Sequence, residues 1–324
     1  MIVVRLTQLF DSVKQTLFIL GTALIGFLAL RNSVVWHMQQ FWGASGDFWQ
    51  RQWAAMYNQV GNELLLTTVG SFVFTVSVFW LANAVLLVLD LTGWPAFLLK
   101  YKIQADKNNP VKKSDLLRAV KVAIFNQTVV GIPFLVAVYY AMRWRGCSCS
   151  PDDLPTFQWA VFELAIFTLV EEIGFYYSHR LFHHPKLYKH IHKVHHEWTA
   201  SIGVVSIYAH PVEHVLSNIL PPALGPLLMG SHLATTWMFW AIALLSTTVS
   251  HCGYHFPFLP SPEAHDFHHQ KFNQNYGALG ILDRLHGTDA QFRNSLAYQR
   301  HFLLLSMVPV SQQIPDPPKK NKAE

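Results

Sequence analysis

Ten histidines between residues 179 and 269 fall into two copies of one pattern. His179 and His183 are followed by His192, His195 and His196; His251 and His255 are followed by His265, His268 and His269. Residues three or four apart share a helical face, so each copy predicts several ring nitrogens aimed at one point. Neutral imidazole is the commonest protein ligand for a transition metal. Ten such donors exceed the six positions of an octahedral ion. The pattern therefore predicts two ions, each with five imidazoles and about one position left for oxygen or water. Of the chain's 18 histidines, 17 lie after residue 178, which argues against a merely frequent residue falling into runs by chance.

The helix that carries the first pair is predicted to begin in the apolar run at 157–175 and to continue to Pro185, the first strong stop. On it Glu172, Tyr176, His179 and His183 share a narrow stripe. A carboxylate in such a run is costly to place, so Glu172 is expected to support the metal by accepting the other ring N–H of a ligating histidine. Pro185 is expected to start a new helix bearing His192, His195 and His196. Glu197 and Asp266, each beside a candidate ligand, are further candidates for that supporting role, whereas His184 and His190 fall outside the repeated spacing. His210-Pro211-Val212-Glu213-His214 matches the inverted zinc-protease signature H-x-x-E-H. Pro211 favours the first helical position, however, so His210 becomes a flanking residue and the five residues line the main site rather than form a hydrolase.

The elements that position these residues are membrane helices. Of the 324 residues, 51% are apolar and only 13% charged, and the mean hydropathy is positive, as in an integral membrane protein. The net charge of +5 resides in short segments between apolar runs. That pattern fits membrane loops better than a nucleic-acid partner. Runs at 64–91, 119–140 and 157–175 are long enough to span, and 16–30 is a shorter first span or an in-plane helix. Lys100, Lys102, Lys107, Lys112, Lys113, Arg118 and Lys121 between the first two spans outweigh Arg143 and Arg145 after the second. The positive-inside rule then puts the Lys-rich loop and His179 in the cytosol. Because both histidine copies must reach one site, 215–229 and 233–250 are expected to form a hairpin that enters and returns, its first arm broken by Pro221, Pro222 and Pro226. The end of the chain, Lys320 to Glu324, matches a cytosolic signal for return to the endoplasmic reticulum. Cys147, Cys149 and Cys252 give no disulfide framework. No G-x-G-x-x-G follows a strand, so electrons for oxygen chemistry are expected from another protein.

The histidine motifs His179-Arg180-Leu181-Phe182-His183-His184, His192-Lys193-Val194-His195-His196 and His265-Asp266-Phe267-His268-His269, followed by Asn275-Tyr276-Gly277, resemble the fatty acid hydroxylase and sterol desaturase superfamily of membrane di-metal oxygenases. The resemblance covers about residues 157–291. It implies an all-α integral membrane protein of the endoplasmic reticulum with a cytosolic His-rich helical cap over a di-iron centre, in which zinc can replace iron in purified protein. It further implies electrons from NAD(P)H through cytochrome b5 and its reductase, and oxidation of an unactivated C–H bond of a lipid. The fused haem motif H-P-G-G of some members is absent, which points to an external donor. The C-4 methyl group of a sterol is the favoured substrate, with a fatty-acyl or sphingolipid hydroxylase or a sterol desaturase as the alternative. A non-catalytic metal-binding membrane protein with a regulatory role is a second alternative. The expected organisation is a membrane region at 1–156, a catalytic region at 157–291 and a C-terminal segment with a polar tail at 292–324.

Overall fold

A computed structural model describes residues 2–317, and the proposed retrieval signal lies outside them. The chain divides into two compact units, Met1–Gln59 and Val60–Glu324. The first is the bulk of one helix, α1 (Ile2–Val60), which contains the run at 16–30. The second contains every candidate site residue. It also contains the segments from residue 60 to 156, so the histidine-bearing region shares its core with much of the N-terminal membrane region.

Three helices of the second unit are long and apolar enough to cross a membrane: α2 (Glu63–Thr92), α3 (Lys113–Arg145) and a third helix near the second histidine copy, Leu233–His251. They correspond to the runs at 64–91, 119–140 and 233–250. Apolar side chains along α2 such as Val73, Leu81 and Val85 point outward, as lipid contact requires. Both α2 and α3 carry one π-helical stretch, at Leu66–Gly70 and Asn126–Val130. The helix α4 (Phe157–Phe182) runs unbroken through Glu172 to His179 as the sequence predicts. It is not among the three spanning candidates, because Glu163, Glu171 and Glu172 interrupt its apolar sequence. Instead α4 lies against α5 (Leu220–Met229), the Pro-rich first arm of the hairpin. The two approach closely at Gly225, where a Cβ would come within 2.8 Å of the Phe167 Cα, the close packing that small residues permit between membrane helices. The hairpin closes through Gly230 into α6 (Leu233–His251), whose N-terminus is capped by His232. The helix α7 (Glu263–Lys271) follows and carries His265, His268 and His269, the last three of the repeated pattern. Among the described residues there is no strand, only an isolated bridge between Lys102 and Tyr254.

Two cores prepare the site. Phe79 of α2 and Leu116, Ala119 and Ala123 of α3 enclose Trp198, Ile202, Val204, Val205, Ile207 and Tyr208. Asn126, fully buried, donates from Nδ2 to the carbonyls of Ile207 (3.0 Å) and Ala209 (2.9 Å). The irregular stretch between the two histidine copies is thereby fixed in place. Leu89, Tyr101, Cys252, Tyr254, Leu304 and Val310 form the other core, which anchors the chain just after α6.

Candidate metal centre

Nine of the ten repeated histidines converge. His179, His183, His192, His196 and His268 offer ring nitrogens that lie within 4.8 Å of one another, and so do His195, His251, His265 and His269. The grouping crosses the two sequence copies. His195 and His196 are neighbours in the chain but belong to different groups, as do His268 and His269. The crossing follows from local geometry: the one-turn helix at Pro185–Tyr188 gives way to turns and a 3₁₀ turn at His195–Glu197. The continuous helix expected from Pro185 is therefore absent, although His268 and His269 divide between the groups within the helix α7.

His255 joins neither group. The helix α6 ends at His251, and Gly253 turns the chain with φ +75°, so the four-residue helical relation that the spacing implied is lost. The His255 backbone N–H donates to the Tyr101 carbonyl (2.8 Å). Its ring is engaged elsewhere, with Nε2 against the Phe302 carbonyl (3.0 Å) and Nδ1 facing Glu263 Oε1 (3.4 Å). The structure thus brings together groups of five and four imidazoles where the spacing led to an expectation of five and five.

The outer face of each group decides its chemistry. Nδ1–H of His179 donates to the Tyr276 carbonyl (2.7 Å), His195 to Tyr208 (3.1 Å), His251 to Thr247 (2.8 Å), His268 to Gln274 (2.6 Å) and His269 to Trp198 (3.0 Å). A carbonyl oxygen only accepts, so these five rings carry their proton on Nδ1 and turn the Nε2 lone pair inward. His251 and His195 then face each other lone pair to lone pair at 3.3 Å. Neutral rings in that arrangement repel unless a cation lies between them. The donor set is all imidazole, which suits iron, zinc or copper and not magnesium or calcium. Burial keeps the rings neutral: it pushes His195 down to about 4, and His192, His265, His268 and His269 well below their usual range, with the neighbouring imidazoles adding to the fall.

The sixth oriented ring is His192, whose Nδ1 lies 2.7 Å from Glu213 Oε1. The carboxylate support anticipated from Glu172 thus comes from the H-x-x-E-H segment, where His210 caps the helix through its Nδ1 as Pro211 implied. His214 is buried but belongs to neither group. Glu172 acts one step further out. Its oxygens accept the backbone N–H groups of Leu279 (2.8 Å) and Leu282 (3.2 Å). Asp283, which sequence reasoning missed, accepts those of Tyr276 (2.8 Å) and Gly277 (2.6 Å). Together they hold the loop that presents the Gln274 and Tyr276 carbonyls to His268 and His179. Gly277 packs against both carboxylates: a Cβ there would lie 2.8 Å from Glu172 Oε1 and 3.0 Å from Asp283 Oδ2.

The remaining supporting candidates also bind neighbours other than the rings. Glu197 accepts the Tyr208 hydroxyl (2.8 Å). Asp266 accepts Gln104 (2.9 Å) and Gln270 (2.7 Å). His184 caps its short helix and is exposed, as is His190.

The fatty acid hydroxylase family model matches residues 164–288, which contain all nine converging histidines. The chain is 54% identical to fatty acid hydroxylase domain-containing protein 2 of Macaca fascicularis, over 96% of this chain and 94% of that protein. It is 34% identical to methylsterol monooxygenase 2-2 of Arabidopsis thaliana, over 72% and 89% of the two chains. It is likewise 34% identical to very-long-chain aldehyde decarbonylase GL1-11 of Oryza sativa subsp. indica, over 74% and 91%. No solved structure matches it. On the strength of this coverage and of the histidine motifs that fall within it, the chain belongs to the fatty acid hydroxylase family.

Proposed function

We propose that this protein is an O₂-dependent di-iron monooxygenase of the endoplasmic reticulum membrane that oxidises the C-4 methyl group of sterol intermediates. The observation that carries the reading is the inward convergence of nine imidazoles into two adjoining groups, one ring of which, His251, ends a helix long and apolar enough to cross a membrane. Each turnover consumes O₂, two electrons and two protons; one oxygen atom enters the C–H bond to give an alcohol and the other leaves as water. Iron, when bound, supplies the oxidising power for an unactivated C–H bond. The chain's own residues hold the rings neutral and oriented, and its apolar helices present the lipid. Electrons come from NAD(P)H through an external cytochrome b5 and its reductase.

The metal groups and the Lys-rich loop share one face of the membrane in this reading. Gln104 donates to the Thr199 carbonyl and to Asp266, both at 2.9 Å, and Asn108 donates to the Ala200 carbonyl at 2.7 Å. The positive-inside rule then favours a cytosolic centre. The relation to a very-long-chain aldehyde decarbonylase favours, as a second reading, an acyl-chain substrate.

Protein reconstituted in membranes with NADH, cytochrome b5 and its reductase tests the proposal. Two irons per chain and an oxidised 4-methylsterol support it. Two irons with turnover of acyl chains alone moves the substrate to the second reading, and firmly bound zinc without any turnover in iron-replete preparations refutes the oxygenase.

A further inference from the structure

From Phe302 to Pro315 the chain carries no Asp, Glu, Lys or Arg. The two ends of this stretch are tied together: Arg300 donates from Nε to the Ile314 carbonyl (2.9 Å) and pairs with Asp316 (2.9 Å). The segment is thus a loop closed at its base by the charges that flank it. Within it the side chains divide. Leu304 and Val310 enter the core that anchors the chain after α6. Leu303, Leu305, Met307 and Val308 point away from the protein, Leu305 with 70% of its surface exposed.

Two other stretches join this loop. The Phe258 N–H donates to the Leu304 carbonyl (2.8 Å), and Phe258 holds φ at +62°, a conformation that bulky residues rarely adopt. Its ring is nevertheless 64% exposed, so the strained backbone does not place it in the protein core. On the other side, the Tyr101 hydroxyl (2.8 Å) and Lys100 Nζ (3.2 Å) both donate to the Met307 carbonyl. Lys100 belongs to the 3₁₀ helix Ala96–Tyr101, where residues three apart share a face, so Phe97 stands in line with it. Trp94 comes two residues after Thr92, the last residue of α2. Trp94 and Phe97 are 69% and 64% exposed.

Single apolar residues on a surface are ordinary, but a cluster drawn from three separate stretches marks an interaction site. We infer that this edge lies in the interfacial layer of the bilayer that α2 crosses, with the loop that follows Arg300 dipping into one leaflet as a membrane-embedded strap. Three observations make the occupant lipid. The edge begins where α2 ends, and Val85 and Val88 of that helix already face outward. Its first member is a tryptophan, the side chain that settles at headgroup level. Its exposed loop tip is free of charge, while Lys100 at its border sits where a long basic side chain can reach the phosphates. On its inner side the strap holds the turn after α6, because the Phe302 carbonyl accepts His255 Nε2–H (3.0 Å) and the Leu304 carbonyl accepts the Phe258 N–H. The bilayer thereby sets the height of the segment that follows His251. The inference rests on the spanning helices alone and is independent of the oxygenase reading.

The parent protein in lipid nanodiscs containing a phospholipid with a photoreactive diazirine near its glycerol tests this without any substitution. Lipid adducts are expected on the peptides that contain Phe258 and Leu303 to Val308, as well as on α2, which serves as the positive control. A spin label at Leu305→Cys, in a chain carrying Cys147→Ser so that only the buried Cys149 and Cys252 remain, gives a second readout. Its collisions with oxygen are expected to exceed those with a water-soluble nickel chelate, and the order is expected to reverse for a label at Asp106→Cys, which is exposed in the Lys-rich loop. Adducts on α2 but none on either loop overturn the inference. So does a Leu305→Cys label open to nickel, which places the strap in water, and so does one shielded from both reagents, which places a protein partner over it. Should the labelled variant fail to fold, the adduct map of the parent protein decides alone.

Discussion

Glu213→Ala isolates the contribution of a carboxylate that touches no metal position directly. Its Oε1 lies 2.7 Å from His192 Nδ1, and both side chains are almost wholly buried. The carboxylate fixes the tautomer that leaves His192 Nε2 free, 3.1 Å from His179 Nε2. Alanine leaves the Nδ1–H buried without an acceptor, at a cost of about 1–3 kcal/mol. Loss of such a partner lowers metal affinity by roughly 10–100-fold, about 1.5–3 kcal/mol, so the two routes to the magnitude agree. Glu213→Gln separates orientation from charge. The amide oxygen can accept the same N–H, although a neutral bond is about half as strong as a charge-assisted one. The assay is competition for metal against a chelator of known affinity, read as metal per chain. The alanine variant is expected to weaken the five-histidine group by roughly 10–100-fold and the glutamine variant by less than about tenfold. Equal retention by Glu213→Ala and the parent protein, or a glutamine variant no better than alanine, refutes the reasoning.

The loop that carries Tyr276 gives two further expectations. Glu172→Ala strips acceptors from the Leu279 and Leu282 N–H groups and is expected to lower stability by about 1–3 kcal/mol for each group left buried, seen as an earlier thermal unfolding midpoint in detergent. Gly277→Ala forces a Cβ against Glu172 and Asp283 and is expected to cost about 1–3 kcal/mol in the same measurement. Metal-free protein should also lose stability on acidification. With His195 held at about 4 against 6.5 for the free ring, the unfolded chain takes up the proton first. The stabilisation from its neutral ring is therefore complete above pH 6.5 and falls away as the pH drops toward 4, by up to about 3 kcal/mol for this one residue. A flat stability between pH 7 and 4 for metal-free protein would contradict that assignment.

The sequence carried much of this architecture because membrane insertion and metal ligation both write strong local signals. The runs at 64–91, 119–140 and 233–250 are constrained by hydrocarbon thickness, and the structure has spanning-length helices at all three. Histidine is scarce enough elsewhere that its doubled pattern identified nine converging rings. What the pattern left out is how the backbone runs between them. The i, i+4 spacing of His251 and His255 is identical to that of His179 and His183, and only the end of α6 and the turn at Gly253 separate a converging ring from a bystander. No side-chain spacing encodes that stop. Glu172 shows the same limit from the other side. Its place on the buried stripe of α4 was legible, but its partners are backbone N–H groups more than a hundred residues away, and a backbone donor has no residue type to read.

The oriented imidazoles explain why so much of the surrounding chain is irregular. Five of the nine rings are aligned by main-chain carbonyls, and four of those, from Trp198, Tyr208, Gln274 and Tyr276, lie outside regular helices. A carbonyl inside a helix is already committed to the N–H four residues on, so free acceptors come most readily from turns. Buried turns carry polar backbone groups that the surrounding protein must satisfy, and here α2 and α3 enclose the 198–208 segment while Glu172 and Asp283 secure the 276–282 loop. The membrane helices thus act on the metal groups through the turns they bury. Substitutions in the Phe79, Ala119 and Ala123 core are accordingly expected to loosen metal binding through Tyr208 and Trp198 even though none of the three touches an imidazole. Ala119→Leu, which inserts bulk where the side chain is fully buried, should cost about 1–3 kcal/mol of stability and speed metal release from the group that contains His195 and His269. If metal release is unchanged while stability falls, the turns are held independently of the helices and this coupling does not exist.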